Sequence, residues 1–462
     1  MAAPGPVQTS SLAEATTGRV DPGQSPSTAA APTGEQQAAD VSVVQNVAGA
    51  PAVPPADLAA LLEEAEENSP LLRAAEARLE AARHLPSQAE APPDPEISIA
   101  YTNDGVSSFT LGESDMSVLA LTWTQEVRRS AKRTQAREVA LREADRTALD
   151  RERLRLEVAA AVKSAYADLV RLDRTAAILE ETRSVLQELV QAARRRYEVG
   201  EGIQESVLKA QTEVLRLEAE SARVKQDRRS AEIRLNAAAG RAADIPIGPA
   251  VTLPSGALPD PPGALADAAA AASPEIAVLL ASVRREEAGV VLAKAEEKAD
   301  FVWSASYQNR GGLDPMVMGM FGVRLPMYRE RKQAAAVLQK ESELTAARED
   351  LAELQLRTRA GVRELVSRVE RADRLLLLYG QGVVPQAQSA LESGRVSYGV
   401  GRIGFLDLLN DVTVVLNARQ EMAAQESERF QALAALEPLL GRELIRVPGG
   451  PGDTGGQNAL LR

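Results

Sequence analysis

Few residues in this chain of 462 have the types and spacing to do chemistry, and those few exclude more than they suggest. There is no cysteine, so disulfides, thiolate metal sites and thiol nucleophiles are ruled out. The single histidine, His84, cannot build a histidine-rich metal site and reads as a surface residue of an amphipathic helix. Gly399-Val400-Gly401-Arg402-Ile403-Gly404 matches the glycine pattern that cradles a dinucleotide, but it follows a long helical pattern instead of a strand. A nucleotide is therefore rejected as its ligand, and the glycines are read as permitting a sharp turn. Met316, Met318 and Met320 share one face of a strand-like run, because alternate residues point the same way. Three thioethers in a row suggest a path for Cu(I) or Ag(I); the favoured reading is a lipid-facing or barrel-packing stripe. No hydrolytic triad, paired-carboxylate site or phosphate loop stands in its proper context, so neither an enzyme nor a cofactor or metal site is expected.

The elements that position these residues are long helices. Arg128 to Glu198 holds no proline or glycine, and its apolar stripe runs through Leu154, Val158, Val162, Ala165, Leu169, Leu172, Ala176, Leu179, Leu186 and Val190 in helical steps. At 1.5 Å per residue this is a rod of roughly 100 Å, too long for an ordinary globular domain and suited to coiled-coil packing. Aromatic residues are only 3% of the chain, which also favours extended helical packing over a bulky core. The net charge of −12 lacks the basic footprint that phosphates require, so nucleic acid is disfavoured as a partner. No apolar run reaches the length of a spanning helix, and no signal peptide is visible in the first fifty residues, for which a missing leader or a misassigned start is the preferred explanation. Short alternating strands that close into a barrel remain compatible with a membrane.

Residues 1–55 read as a disordered extension rich in Ala, Pro, Gly, Ser, Thr and Gln. A helix follows, capped by Asp57 and interrupted at Asn68-Ser69-Pro70, then strands near 96–103 and 117–125, the long rod, a turn at Val199-Gly200-Glu201-Gly202, and a return helix ended by Gly240. After a Pro/Gly-rich connector over 241–263 the pattern recurs. Ser273-Pro274 repeats Ser69-Pro70, strands are expected near 301–308 and 316–326, and a second rod runs from Arg329 with interruptions at Gly380, Gly382 and Pro385. Tyr398 echoes Tyr197 and Gly441 echoes Gly240, both at an offset of 201 residues. The chain is thus a duplication, with repeats over 56–240 and 264–441 and a flexible tail over 442–462. The basic clusters Arg128, Arg129, Lys132, Arg133 and Arg329, Arg331, Lys332 recur at each strand-to-helix junction, either near anionic groups of a membrane face or as solvated helix starts. Two strands per repeat give four per chain, too few to close a barrel, so a barrel needs several chains.

From Asp57 to Gly441 the chain resembles the TolC-type outer-membrane efflux protein family. The residues that carry the resemblance are Pro93-Asp94-Pro95-Glu96, Thr124-Gln125-Glu126-Val127 with Lys132-Arg133, and Tyr197-Glu198-Val199-Gly200 in the first repeat. In the second they are Leu325-Pro326-Met327-Tyr328 with Arg331-Lys332, and Tyr398-Gly399-Val400-Gly401 running into Phe405-Leu406-Asp407-Leu408-Leu409. The surroundings of Gln125-Glu126 and Gly311-Gly312-Leu313-Asp314-Pro315 look most like the branch associated with heavy-metal cation efflux.

The resemblance implies a mainly α homotrimer, with a long α-helical barrel in the periplasm and a twelve-stranded β-barrel in the outer-membrane lipid. Its implied partners are a periplasmic adaptor and an inner-membrane resistance-nodulation-division pump, for which it would be a passive exit duct. Asp407, nine residues after Tyr398, falls where the family places a pore-facing acid at the closed tip. The family's second aspartate is replaced by Asn410, with Asp411 next to it, and its tip arginine lies one place after Arg402. The implied gate is therefore Asp407, Asn410, Asp411, Tyr398 and Arg402, with tip turns at Gly200, Gly202, Gly401 and Gly404. The competing reading is a soluble coiled-coil scaffold or periplasmic adaptor, in which Asp407 is a surface acid favoured by the helix dipole and Tyr398 packs at a helix end.

Overall fold

The computed structural model describes residues 54–250, 252–259 and 261–447. The extension expected over 1–55 lies outside these residues except for its last two, and the tail expected over 442–462 lies outside them from 448 onward.

The first repeat opens with α1 (Leu58–Asn68) and α2 (Pro70–Glu90). Asp57 caps α1 by accepting the Ala59 N–H at 3.0 Å, and extended Ser69 separates the two helices so that Pro70 takes the first position of α2. Strands β1 (Glu96–Thr102) and β2 (Val118–Val127) follow, then α3 (Ser130–Glu198) and α4 (Gln204–Ala238). The second repeat copies this order as α5 (Pro262–Ala272), α6 (Pro274–Glu296), β3 (Asp300–Arg310), β4 (Leu313–Arg324), α7 (Gln333–Leu378), α8 (Val384–Gly399) and α9 (Phe405–Leu440). Both return helices end on a glycine in the left-handed region, Gly240 at φ +72° and Gly441 at φ +66°. A Cβ at Gly240 would stand 2.9 Å from the Asn68 carbonyl oxygen, and one at Gly441 would stand 3.1 Å from Pro274 Cδ. Each return helix therefore closes on the Asn/Ser-Pro junction of its own repeat.

The 69 residues of α3 span about 100 Å, and the helix packs on α2, α4, α6 and α9. Leu154, Val158, Val162, Leu169, Leu172, Leu179 and Leu186 of the expected stripe are buried, Ala165 and Val190 pack partly buried against the same core, and Ala176 is exposed. The second rod departs from expectation in two ways. It begins at Gln333, because residues 327–332 form a turn, and Gly380, Gly382 and Pro385 do not break it. Residues Tyr379–Val383 widen into a π-turn in which the Val384 N–H reaches the Tyr379 carbonyl five residues back, and Pro385 sits at the start of α8, where its missing N–H costs little.

One stretch among the described residues, Pro262–Ala295, is long and apolar enough in composition for a spanning helix, with mean hydropathy 1.5, whereas none is expected from the sequence. Extended Ser273 divides it into helices of 11 and 23 residues, and Leu265, Ala266, Ala269, Ala270 and Ile276 face the core. Its hydropathy belongs to helix packing. Residues 442–447 are also packed. Leu444 and Ile445 are buried, Ile445 bridges to Gly256, and both backbone N–H groups donate to Glu437 Oε1 at 2.9 Å. The other oxygen of Glu437 accepts from Lys163 Nζ at 2.6 Å, with both side chains 2% exposed.

The four strands form one antiparallel sheet in the order β1-β2-β3-β4. The register joins Ile99 to Leu121, Leu121 to Tyr307 and Tyr307 to Val317, and likewise Gln125 to Trp303 and Trp303 to Phe321. Alternate residues therefore share a face across all four strands. The face with Ile97, Ile99, Leu121, Trp123, Trp303 and Phe321 is apolar and exposed, with Trp303 edge-on to Phe321 at 4.9 Å and Phe301 stacked on Phe321 at 5.8 Å. The opposite face carries Ser98, Thr122, Thr124, Ser304, Ser306 and Gln308, with small apolar residues between them, and Thr122 Oγ1 donates to Ser306 Oγ at 3.0 Å. Ser306 is 3% exposed while its neighbour Tyr307 is 47% exposed, so the sheet curves with the polar face inside. The same register sets Met316, Met318 and Met320 opposite Gln308, Ser306 and Ser304. This corrects the lipid-facing half of the favoured expectation and leaves the barrel-packing half as it stood: the methionine stripe lies on the polar, concave face, away from the aromatic one.

Candidate functional site

The motif residues gather at the two ends of the long helices. At one end, the glycine turns expected at the tip close both helix pairs. Gly200 and Gly401 occupy equivalent places with φ +78° and +74°, a conformation that few other residues adopt without strain. The Gly202 N–H donates to the Arg196 carbonyl at 3.0 Å, where a side chain would press on the backbone of Arg196 and Tyr197. The nucleotide-like glycine run joins α8 to α9, with no strand before it.

Asp407 stands at the third position of α9, exposed, and its carboxylate Oδ2 accepts the Gly404 N–H at 3.1 Å. This bond closes the N-terminal turn of α9, whose unpaired N–H groups favour a negative charge there, and it fixes the carboxylate relative to the turn. Asn410, one helical turn further on, is also exposed. Asp411, four residues after Asp407, is half-buried, with its Oδ2 in contact range of Gly394 on α8: a Cβ added there would lie 2.7 Å away. Asp407 and Asn410 are thus both exposed, whereas Asp411 packs against α8.

Tyr398 is buried against Phe405, their rings edge-on at 6.0 Å. Burial pushes its phenol above the ordinary value, and the nearby Arg196 charge opposes that shift. Arg196 belongs to the last turn of α3, in the other repeat. Its Nη1 donates to the Tyr398 carbonyl at 2.5 Å and its guanidinium lies 5.1 Å from the centre of the Tyr398 ring. Its Nη2 comes so near Gly401 that a Cβ there would sit 3.1 Å from it. Arg402 is exposed, and its backbone N–H bonds to the Ser397 carbonyl at 2.9 Å. The arginine that ties the two turns together is Arg196, which sequence reasoning passed over. Its signal was a difference between the repeats: at the 201-residue offset, Arg196 corresponds to Ser397. Further along the same helices, Arg395 of α8 pairs with Glu188 of α3 at 3.3 Å and Arg419 of α9 pairs with Glu181 at 2.5 Å.

At the other end, where helices meet strands, Arg128, Lys132 and Arg329 of the basic clusters are paired. Arg128 reaches Glu296 at 2.6 Å, and Lys132, 2% exposed, reaches Asp300 at 2.7 Å and Glu296 at 3.3 Å. Gln125 Nε2 donates to the Pro93 carbonyl at 2.7 Å, which links two of the family motifs of the first repeat. Glu126 pairs with Arg324 across the polar face. Glu126, Arg128, Lys132, Glu296, Asp300 and Arg324 line a groove of about 1300 Å³ bounded by α2, α3, α6 and α7, continuous with the concave face of the sheet. Among the described residues, no three His, Asp or Glu side chains converge as a metal site.

The sequence model of a family described as outer membrane efflux protein matches residues 61–241 and 265–442. No curated protein matches the chain. Among solved structures, the outer membrane protein VceC of Vibrio cholerae aligns with a TM-score of 0.71 at 21% identity, covering 84% of this chain and 96% of its own. CusC, described as forming a transmembrane channel, aligns with a TM-score of 0.71 at 14% identity, over 84% of this chain and 93% of its own. The open state of the MtrE outer membrane channel of Neisseria gonorrhoeae aligns with a TM-score of 0.65 at 18% identity, over 84% and 90% respectively. At these identities the solved structures establish the fold, and the family model covers both repeats.

Proposed function

The chain belongs to the outer membrane efflux protein family, and from that premise we propose that three copies assemble into one passive exit duct. The protein is an outer-membrane efflux channel, with its helices in the periplasm, and not an enzyme. The observation that carries the assembly is the curved sheet. Its convex face is aromatic and apolar as a lipid-facing surface must be, its concave face is polar as a lumen must be, and among the described residues β1 and β4 each have one edge unpaired. Joining β4 of one copy to β1 of the next removes every edge once three copies have closed into twelve strands. A soluble scaffold gives no reason for an exposed face of Ile97, Ile99, Trp303 and Phe321 backed by a serine and threonine face.

The turn end is the tip of the duct. Asp407 of each copy supplies one carboxylate to a ring whose field favours cations, and Asn410 lines the same face one turn deeper. Asp411 braces α9 against α8 within one copy, while Tyr398 and Arg196 hold the two turns of each copy together. The glycine turns at Gly200, Gly202, Gly401 and Gly404 are the surface for a periplasmic adaptor, which couples the duct to an inner-membrane resistance-nodulation-division pump. Heavy-metal cations fit a cation-favouring tip as cargo. The test is conductance in planar bilayers with Asp407→Asn, which keeps an oxygen for the Gly404 N–H but removes the charge. The variant is expected to lose cation-over-anion selectivity in a salt gradient, and an unchanged reversal potential would contradict the ring.

A further inference from the structure

The sheet places three thioethers where the rest of its surface does not call for them. The concave face otherwise carries hydroxyl, amide and small side chains, the valines Val118 and Val302 and, toward the helices, the charged Glu126, Asp300 and Arg324, yet β4 adds Met316, Met318 and Met320 to it in an unbroken alternation. All three are about half exposed, at 50, 52 and 56%. Apolar packing does not explain them, because the apolar face of β4 is the other one, with Val317, Phe321 and Val323. Thioethers bind soft cations in preference to hard ones, and this chain has no cysteine and one distant histidine, so these methionines are its soft-donor cluster. Residues two apart on a strand stand about 7 Å apart. Three rotatable bonds in each methionine let neighbouring sulfurs converge on one ion between them.

We propose that Met316, Met318 and Met320 form a thioether rail on the lumen wall, which takes a soft monovalent cation, Cu(I) or Ag(I), between successive sulfur pairs. The lumenal placement rests on the duct reading above; the binding chemistry does not. Two overlapping pairs, Met316 with Met318 and Met318 with Met320, give adjacent weak sites of the kind that let an ion enter and leave. The rail lies two to four residues beyond Gly322 and Arg324 on the same face, and Arg324 lines the groove at the strand-to-helix junction. A cation leaving the helical tunnel meets the rail next.

The full chain, labelled at its methionine methyl carbons and extracted in detergent, is titrated with silver nitrate. The methyl signals of Met316, Met318 and Met320 are expected to shift together while that of Met422, far away on α9, stays in place. Replacing all three by leucine, which has similar volume, is expected to lower silver bound per chain at least tenfold. Met318→Leu alone breaks both pairs, and it serves if the triple variant is not recovered. Equal silver binding by the leucine variants, or shifts confined to Met116, Met327 and Met422, would overturn the proposal. Block of potassium current by silver in planar bilayers, expected for the natural chain and absent in the leucine variants, places the rail in the lumen. Silver bound at the rail without block of an open pore would refute the lumenal placement, and a chain that forms no pore at all would instead refute the duct.

Discussion

Arg196→Ala isolates the contact that joins the two turns at the tip. The arginine gives one charged hydrogen bond, at 2.5 Å to the Tyr398 carbonyl, and one cation–ring contact at 5.1 Å. A hydrogen bond from a charged donor contributes roughly 1.5–3 kcal/mol, and a cation over an aromatic face adds about 0.5–1 kcal/mol at a site that is partly exposed. The Tyr398 carbonyl keeps its bond from the Gly401 N–H at 3.0 Å, so the net loss is set near the lower end, at about 2 kcal/mol per chain. That is a factor of about 30 in the ratio of joined to separated turns. The expected result is a higher time-averaged conductance in planar bilayers, with the unfolding midpoint of the detergent-extracted protein nearly unchanged because the long helices keep their core. Arg196→Lys keeps a point charge without the planar fork and should fall between the two. Tyr398→Phe should behave as the natural protein, since the contact uses the ring face and the backbone carbonyl, not the hydroxyl. Natural conductance in Arg196→Ala would refute the reasoning, as would an effect of Tyr398→Phe as large as that of Arg196→Ala.

Two further predictions concern the helical body. Lys163→Met leaves the Glu437 carboxylate buried with only the two backbone N–H groups of Leu444 and Ile445, and it should cost about 3–5 kcal/mol in denaturant unfolding; Lys163→Met with Glu437→Leu should recover much of that loss, and an equally unstable double variant would contradict it. Glu143 on α3 is held below the usual carboxylate range first by its hydrogen bond from Arg146 and also by Arg285 of α6, against a smaller opposing effect of burial. A carboxylate depressed in the folded state stabilises above its unfolded pKa and loses that contribution as pH falls through the folded one. Glu143→Gln should therefore cost about 1 kcal/mol at neutral pH, and that cost should shrink as pH falls below the ordinary glutamate range and vanish only below the depressed folded value, as pH-dependent unfolding would read.

Much of this fold was legible because it rests on local signals that repeat. The Ser-Pro junctions, the terminal glycines Gly240 and Gly441 and the two tip turns are each short-range features, and the duplication reads each of them twice. What was not legible depends on partners distant in sequence. Alternation alone shows that Met316, Met318 and Met320 share a face, but only the pairing with Gln308, Ser306 and Ser304 shows which face it is. Arg196 meets Tyr398 across 202 residues, and nothing local to either announces it. Gly380, Gly382 and Pro385 read as an interruption because the sequence does not show that a helix can take up an unbondable proline by widening one turn. Leu444 and Ile445 looked like tail because their docking site is the buried Glu437 carboxylate, not an apolar periodicity. At the candidate site, Asp407 was expected from the family resemblance at its distance from Tyr398, while the contact of Asp411 with Gly394 depends on the packing of α9 on α8.

The central claim is that β4 of one copy pairs with β1 of the next until three chains close. The chain has no natural cysteine, so a cysteine pair introduced at the two edges reports this pairing alone. Within one chain the outer strands lie about 14 Å apart across the sheet, beyond disulfide reach. Ile99→Cys on β1, combined in turn with Val317→Cys, Gly319→Cys and Val323→Cys on the same face of β4, is oxidised in outer membranes and resolved by denaturing electrophoresis. The account predicts that at least one pair yields a covalent species of three chains and nothing larger. Dimers as the end product, an open ladder of higher species, or no cross-link from any of the three pairs would contradict it.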